Sequence, residues 1–205
     1  ARLETVLTQH PTACVGEIGL DKVARTPETK KCEYATQKGV FEAQLRLAGQ
    51  LKRPASLHCV RAIGTVFDTL ERLVADRAAP PVIAMHSFTG SPEFIPRFLK
   101  LKGCDVYFGF SAAVNLDDEK RRDHLRTCLA LVPPDRVLAE SDLAETSEID
   151  EAVVEIVDEF ADFLGLPYAD VAAMTGDNCR RAFVLEQHES DLPHENPDKD
   201  DQAES

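Results

Sequence analysis

Apolar positions along the chain follow two alternating rhythms. Short, compact apolar runs occur at 12–18 (TACVGEI), 54–60 (PASLHCV), 81–86 (PVIAMH), 105–110 (DVYFGF) and 136–140 (RVLAE). Their content of strand-favouring residues, with no polar alternation, is that of strands covered on both faces. Between them apolar residues recur at helical spacing: Phe41, Leu45 and Ala48; Val66, Leu70, Leu73 and Val74; Ile149, Val153, Ile156, Val157 and Phe160. Ser147 and Asp150 are spaced as a capping box for the last of these helices. Pro167 suits a first helical position before PYADVAAM, and TGDNCRRAF ends the fold.

Five βα units in succession predict an α/β fold with a parallel sheet, either doubly wound or part of a (β/α)8 barrel. The strand ends favour the barrel. Strand one ends at Glu17, strand two at His58, strand three at His86 and strand four at Ser111, while strand five leads to Glu140 and Asp142. Polar and ionisable groups thus gather at the carboxyl edge, where barrel active sites are assembled. No glycine-rich phosphate loop follows any strand, as a dinucleotide-binding doubly wound sheet would require. The expected architecture is a TIM (β/α)8-type barrel of which about five βα units are present.

Composition narrows the class without changing that picture. The 205 residues suffice for one domain or a small pair, and no apolar run reaches membrane-spanning length, so a soluble globular protein is expected. Six scattered cysteines (Cys14, Cys32, Cys59, Cys104, Cys128, Cys179) with no CxxC pair, several of them in core-like runs, suit buried reduced thiols. That points to a reducing compartment, hence cytoplasmic residence, with nuclear residence left open because KRR at 120–122 is too short for an import signal. The amino terminus shows neither a basic nor an apolar signal segment, and it lacks Met, so the first residue given is not expected to be the first translated.

The formal net charge of −13 opposes nucleic-acid binding until its location is considered. From Glu186 onward eight acids and one lysine contribute −7, leaving −6 for the rest. The expected organisation is therefore a barrel-like domain over 1–185 and a disordered acidic tail over 186–205. His10, His124, His188 and His194 read as surface residues. KRR at 120–122 and RR at 180–181 read as solvated faces, with phosphate contact as the second reading.

Glu17 stands between Gly16 and Gly19 at the end of an apolar run, where a carboxylate removed from water needs a cation, a donor or a metal. Glu17, His58, His86 and Asp142 at one rim make a site of nitrogen and oxygen donors suited to Zn, Mn or Mg. A divalent ion there lowers the pKa of water and clamps a phosphate or carbonyl oxygen, which is the chemistry of hydrolysis. Singly, Glu17 also fits a salt bridge, the histidines fit hydrogen-bonded rim positions, and Asp142 fits a turn cap.

VGEIGLD at 15–21, QKGVFEAQLRLAGQLKRPASLHC at 37–59, MHSFTG at 85–90, YFGFS at 107–111, PPDRVLAESD at 133–142 and TGDNCRRAF at 175–183 together resemble the TatD family of metal-dependent hydrolases. The resemblance spans nearly everything before the tail. It implies a TIM-barrel, metal-dependent phosphodiesterase, often a deoxyribonuclease, with nucleic acid as substrate. It also implies that Glu17 is the bridging carboxylate, that His58 and His86 hold the second metal, and that Asp142 holds the first metal, orients water and handles its proton. Arg25 and Arg61 are the substrate-contacting arginines it suggests, although Arg61 lies three residues after His58, where the family arginine stands two after. Further departures are ESDLAE in place of ETDAP and the lack of the family's opening HxH strand with two further βα units, so the first metal site would lack its HxH ligands. Open sheet edges would then favour a homo-oligomer. A non-catalytic interaction protein and a C–N hydrolase of the wider amidohydrolase type remain alternatives.

Overall fold

The computed structural model describes residues 2–183, so the 186–205 tail with His188 and His194 lies outside the described residues. Helix α1 (Arg2–Gln9) precedes β1 (Val15–Asp21), α2 (Tyr34–Gln50), β2 (Ala55–Val60), α3 (Ile63–Ala75), β3 (Val82–Met85), α4 (Ile95–Phe98) and β4 (Asp105–Ser111). The chain continues through α5 (Ala112–Asn115), α6 (Glu119–Leu129), β5 (Val137–Glu140), α7 (Ile149–Leu164) and α8 (Tyr168–Phe183). The strands form one parallel sheet in the order β1-β2-β3-β4-β5. A doubly wound sheet reverses its order at a switch point, whereas sequential order is that of a barrel wall. The described sheet is an arc of an α/β barrel that ends on β1 and β5, each with a single neighbour.

The two faces of the arc divide the work. One face carries Leu57, Ile83, Met85, Val106, Phe108, Phe110 and Val137 into the main core, against buried residues of α2, α3, α4, α6 and α7. Each such Leu, Ile or Phe contributes roughly 1.5–3 kcal/mol by leaving water. Edge-to-face ring pairs run through this core from Phe67 to Phe98, Phe108, Phe88, Phe110 and Phe160, with centroids 5.2–6.3 Å apart. At one end of the opposite face Ala84, Tyr107 and Leu138 are covered by Ala182 and Phe183 of α8. The Asn178 amide on α8 fastens that end by donating to the carbonyls of Pro134 and Val137, both at 2.8 Å. Because side chains alternate along a strand, this second face also carries His58, His86 and Glu140 at the far, carboxyl end.

Several local expectations need correction. The first strand lies at Val15–Asp21 rather than 12–18, so the VGEIGLD stretch is the strand itself, not its exit. It stays paired with β2 through Asp21↔Val60, and the Gln37 side chain both accepts from the Asp21 N–H and donates to its carbonyl, at 2.9 Å each. No capping box forms: Ser147 lies in a 3-10 turn, and Glu148 caps α7 without a side-chain bond. PYADVAAM and TGDNCRRAF are one continuous helix that starts after Pro167. All six cysteines are free, but only Cys104 and Cys128 are buried, their thiols pushed up to about 12 by that burial. KRR is not simply a solvated face, since Arg122 joins Arg126 on the buried Glu159 carboxylate at 2.7 Å each and clamps α6 to α7. Arg180 and Arg181 pair with Asp177 and Asn178 within α8. Among the described residues no helix is long and apolar enough to cross a membrane.

The β1–β2 seam sets the position of Glu17. Val15 pairs with Ala55 and Ile18 with Leu57, so two residues of β1 oppose one of β2, a bulge that re-aims the side chain within it. Gly16 and Gly19 let the strands approach: a Cβ on Gly16 would lie 2.8 Å from the Ser56 Cβ, and one on Gly19 would overlap the His58 carbonyl. Gly19→Ala is expected to destabilise the fold by about 1–3 kcal/mol through overpacking against β2 backbone, read as a lower midpoint in urea unfolding. An unchanged midpoint would contradict the close seam.

Candidate active site

The bulge delivers Glu17 beside two imidazoles. Its Oε1 lies 3.0 Å from His58 Nδ1 and 3.9 Å from His86 Nε2. His58 occupies β2 directly opposite Gly19, and the His86 N–H donates to the Leu57 carbonyl at 2.9 Å, which sets its ring beside His58. Asp142, in the loop after β5, places Oδ1 3.0 Å from His86 Nε2. Four sequence-derived residues, Glu17, His58, His86 and Asp142, are thus brought together. Glu17 is not a buried charge, however: its side chain is 43% exposed, and its partners are the two rings.

A second carboxylate stands behind each ring. Asp21 Oδ2 approaches His58 Nε2 at 3.5 Å, and Glu140 Oε2 approaches His86 Nδ1 at 2.7 Å. Each histidine therefore turns one nitrogen to Glu17 and the other to an outer carboxylate. The outer acids are themselves fixed. Asp21 Oδ1 accepts from the N–H groups of Val23 at 2.6 Å and Ala24 at 3.0 Å. Burial raises the Asp21 carboxyl, but these donors and His58 outweigh it and hold it below the usual range. Glu140 Oε1 accepts from the Ser87 N–H, while Ser87 Oγ shares a 2.8 Å bond with Ser111 Oγ. Gly109 leaves room for this acid, because a Cβ there would overlap the Glu140 carboxylate.

These contacts hold His86 in its charged form. The hydrogen bond to Glu140 comes first, opposed by burial and reinforced by the charges of Glu140 and Glu17 and by Asp142, and together they raise its pKa to about 9. Ser87, Arg61 and Asp142 adopt positive φ of 38°, 55° and 57°. Non-glycine residues rarely do so, and these three of the six such residues in the described chain flank the cluster after three strands, the other three (Lys30, Lys52, Arg77) lying elsewhere.

Among the described residues no group of three or more His, Cys, Asp or Glu side chains is disposed so that it could hold a metal ion as it stands. The donor chemistry, two carboxylates and two imidazoles, suits a divalent ion. Ligands at about 2.1 Å in tetrahedral array stand roughly 3.4 Å apart, and the three contacts Glu17–His58, Glu17–His86 and His86–Asp142 span 3.0–3.9 Å. A carboxylate on the far nitrogen of each histidine is the usual outer support of a metal-bound imidazole.

The two arginines separate. Arg25 is not brought to the cluster; its Nη1 donates to the Lys22, Val23 and Ala24 carbonyls at 3.0–3.2 Å and braces the loop after β1. Arg61 lines a cleft of about 720 Å³ that begins at Asp21. His124, expected on the surface, is half-buried at that cleft and donates from Nε2 to the Gly90 carbonyl at 3.1 Å. The supporting roles of Asp21 and Glu140 escaped sequence reasoning, although the closing Asp of GEIGLD and the Glu of ESD were their visible signals.

Comparison with known proteins agrees with this fold. A family model described as TatD related DNase matches residues 1–184. The Cut9-interacting protein scn1 of Schizosaccharomyces pombe is 30% identical over 87% of this chain and 64% of its own length. A 3'-5' ssDNA/RNA exonuclease TatD of Edwardsiella piscicida is 36% identical over 69% of this chain and 50% of its own. The chain thus spans between half and two thirds of these relatives. The crystal structure of a TatD homologue of Escherichia coli superposes with a TM-score of 0.67 at 23% identity, covering 89% of this chain and 69% of that one. A TatD family hydrolase of Entamoeba histolytica gives 0.68 at 14% identity, over 89% and 67%. With a carboxylate–imidazole cluster on a barrel arc, and a family match across the described fold, the chain belongs to the family of TatD-related DNases.

Proposed function

We propose that the protein bearing this chain is a divalent-metal-dependent hydrolase that cleaves phosphodiester bonds in single-stranded nucleic acid. The observation that carries the reading is the paired arrangement of His58 and His86, each with one nitrogen toward Glu17 and the other toward an outer carboxylate. A purely structural ion pair would need one carboxylate per ring. A site built to present neutral nitrogens to a cation needs both. Glu17, His58, His86 and Asp142 would hold the ion, which when bound supplies Lewis acidity and charge for a phosphate oxygen.

The remaining work falls to the chain. Asp142, held on a positive-φ loop at the rim, accepts the proton of the attacking water. Glu140 and Asp21 fix the two ring orientations, and the Ser87–Ser111 pair fixes Glu140. Arg61, exposed at the exit of β2, would contact a phosphate, whereas Arg25 serves the loop after β1. The substrate class follows the relatives named as single-strand exonucleases.

Three outcomes test this reading. In the full-length protein, Glu17→Gln and His86→Ala are each expected to lower divalent-dependent cleavage of a single-stranded oligonucleotide at least 100-fold, measured in a gel assay; wild-type turnover in either variant would sink the assignment. Glu140→Gln is expected to weaken ion binding about 10–100-fold, as loss of an outer-shell partner typically does. Calorimetric titration reads this directly, and an unchanged affinity would contradict the supporting role of Glu140. The third outcome concerns pH in the ion-free protein. His86 has a folded pKa of about 9 against an ordinary 6.5, so its stabilisation is complete below pH 6.5 and is lost as pH rises through 9. The thermal midpoint should therefore fall across that window in the wild type and fall less in His86→Gln, whereas equal profiles would contradict the shift.

A further inference from the structure

We propose that the buried Asn115 is a positioning residue for the candidate active site. Its carboxamide, inserted between the ends of β3 and β4, sets the spacing at which Ser111 and Ser87 orient Glu140 and, through it, the His86 ring. The inference rests on the hydrolase reading for its catalytic consequence and on hydrogen-bond geometry for the rest.

The strand ladder shows where the amide is inserted. β3 and β4 pair in parallel up to Met85 and Phe108. Beyond that point the Phe88 N–H still donates to the Gly109 carbonyl at 2.8 Å. In a parallel ladder the residue that donates to position 109 accepts from position 111, so the next bond would run from the Ser111 N–H to the Phe88 carbonyl. Two other bonds stand in its place. The Ser111 N–H donates to Asn115 Oδ1 at 2.9 Å, and Asn115 Nδ2 donates to the Phe88 carbonyl at 3.0 Å. Both backbone groups stay satisfied while the strand ends stand a carboxamide apart.

Packing alone gives no reason for an amide there. Asn115 closes the four-residue helix α5 and is 1% exposed. An apolar side chain of similar size would avoid the cost of burying an amide, which is offset only when its hydrogen bonds are made. Phe88 is already fixed by its ring, set edge-on to Phe108 and Phe110 with centroids 5.2 and 6.3 Å away. What Asn115 governs is the Phe88 carbonyl and the Ser111 N–H, and Ser111 leads to the cluster.

From Ser111 the donors run in one direction. Ser111 Oγ accepts from the Val114 N–H at 3.3 Å, and Ser87 Oγ donates to Glu140 Oε1 at 3.4 Å. Each hydroxyl has one proton, so the 2.8 Å bond between them runs from Ser111 to Ser87. The Ser87 N–H is a second donor to the same Glu140 oxygen. Glu140 is thereby turned with Oε2 toward His86 Nδ1, which donates to it, and the ring presents Nε2 to Glu17 and Asp142. Ser87 and Ser111 are both buried, so bulk water does not replace either link. Without the Asn115 amide the freed Ser111 N–H closes on the Phe88 carbonyl, which draws Ser111 out of line with Ser87.

The test uses the full-length protein, isotope-labelled at its histidine nitrogens and freed of metal, with the His86 Nδ1–H proton followed by NMR at fixed neutral pH. Asn115→Ala and Ser111→Ala are each expected to shift that resonance and to speed its exchange with solvent. Asn115→Asp, which keeps the shape and replaces the donor to Phe88 by an oxygen, carries the test if Asn115→Ala does not fold. Titration calorimetry with Mn or Zn then reads ion affinity. A loss of about 10-fold is expected in each variant, the low end for an outer-shell partner. In a Glu140→Gln background Asn115→Ala should cost less than about 2-fold more, because both changes act through one carboxylate. An unshifted His86 resonance, no such resonance in the wild type, or a full additional loss in the Glu140→Gln background overturns the positioning role. The expected NMR change in a protein that binds no divalent ion supports that role and overturns the hydrolase reading instead.

Discussion

Four carboxylates crowd two imidazoles at the carboxyl end of this sheet, and the surrounding structure serves that crowding. Glu17, Asp21, Glu140 and Asp142 all lie within 3.9 Å of a ring nitrogen of His58 or His86. Like charges at such spacing repel unless positive charge stands among them. Without an ion that charge is the His86 imidazolium, stabilised to about pH 9. With an ion the same geometry offers deprotonated oxygens and a neutral nitrogen from each ring, so proton and metal compete for one place. The fold supplies the means: a bulge and two glycines at the β1–β2 seam, a glycine beside Glu140, and a serine pair that fixes the outer acid.

Much of this was legible in the sequence because it depends on local pattern. Compact apolar runs gave four of the five strands to within about a residue, and their polar ends picked out His58, His86 and Asp142, with Glu17 reached through a strand end set too early. Non-local features were not legible. The bulge exists only in the register between β1 and β2, so the first strand was placed three residues early and Glu17 was expected to be buried. Asp21 and the support role of Glu140 were not singled out, because that role depends on which ring nitrogen faces each acid. Ser147 lost its capping role to the 3-10 turn before α7, a competition between turn types that spacing does not reveal.

Several of the cations are committed to the fold itself. Arg122 and Arg126 spend their charge on buried Glu159, Arg180 and Arg181 pair within their own helix, and Arg25 braces a loop. Arg61 and Lys120 are among the cations without a hydrogen-bond or ion-pair partner within the described residues, and both line the cleft beside Asp21.

The central claim is that nitrogen and oxygen side chains at these strand ends hold a divalent ion around Glu17. X-ray absorption at the edge of the ion carried by the purified full-length protein tests it most directly. The account predicts a stoichiometric ion with N/O neighbours at about 2.0–2.2 Å, imidazole scattering from beyond the first shell, and loss of one ring's share in His86→Ala. A shell dominated by sulfur at about 2.3 Å, or no stoichiometric ion, would contradict it.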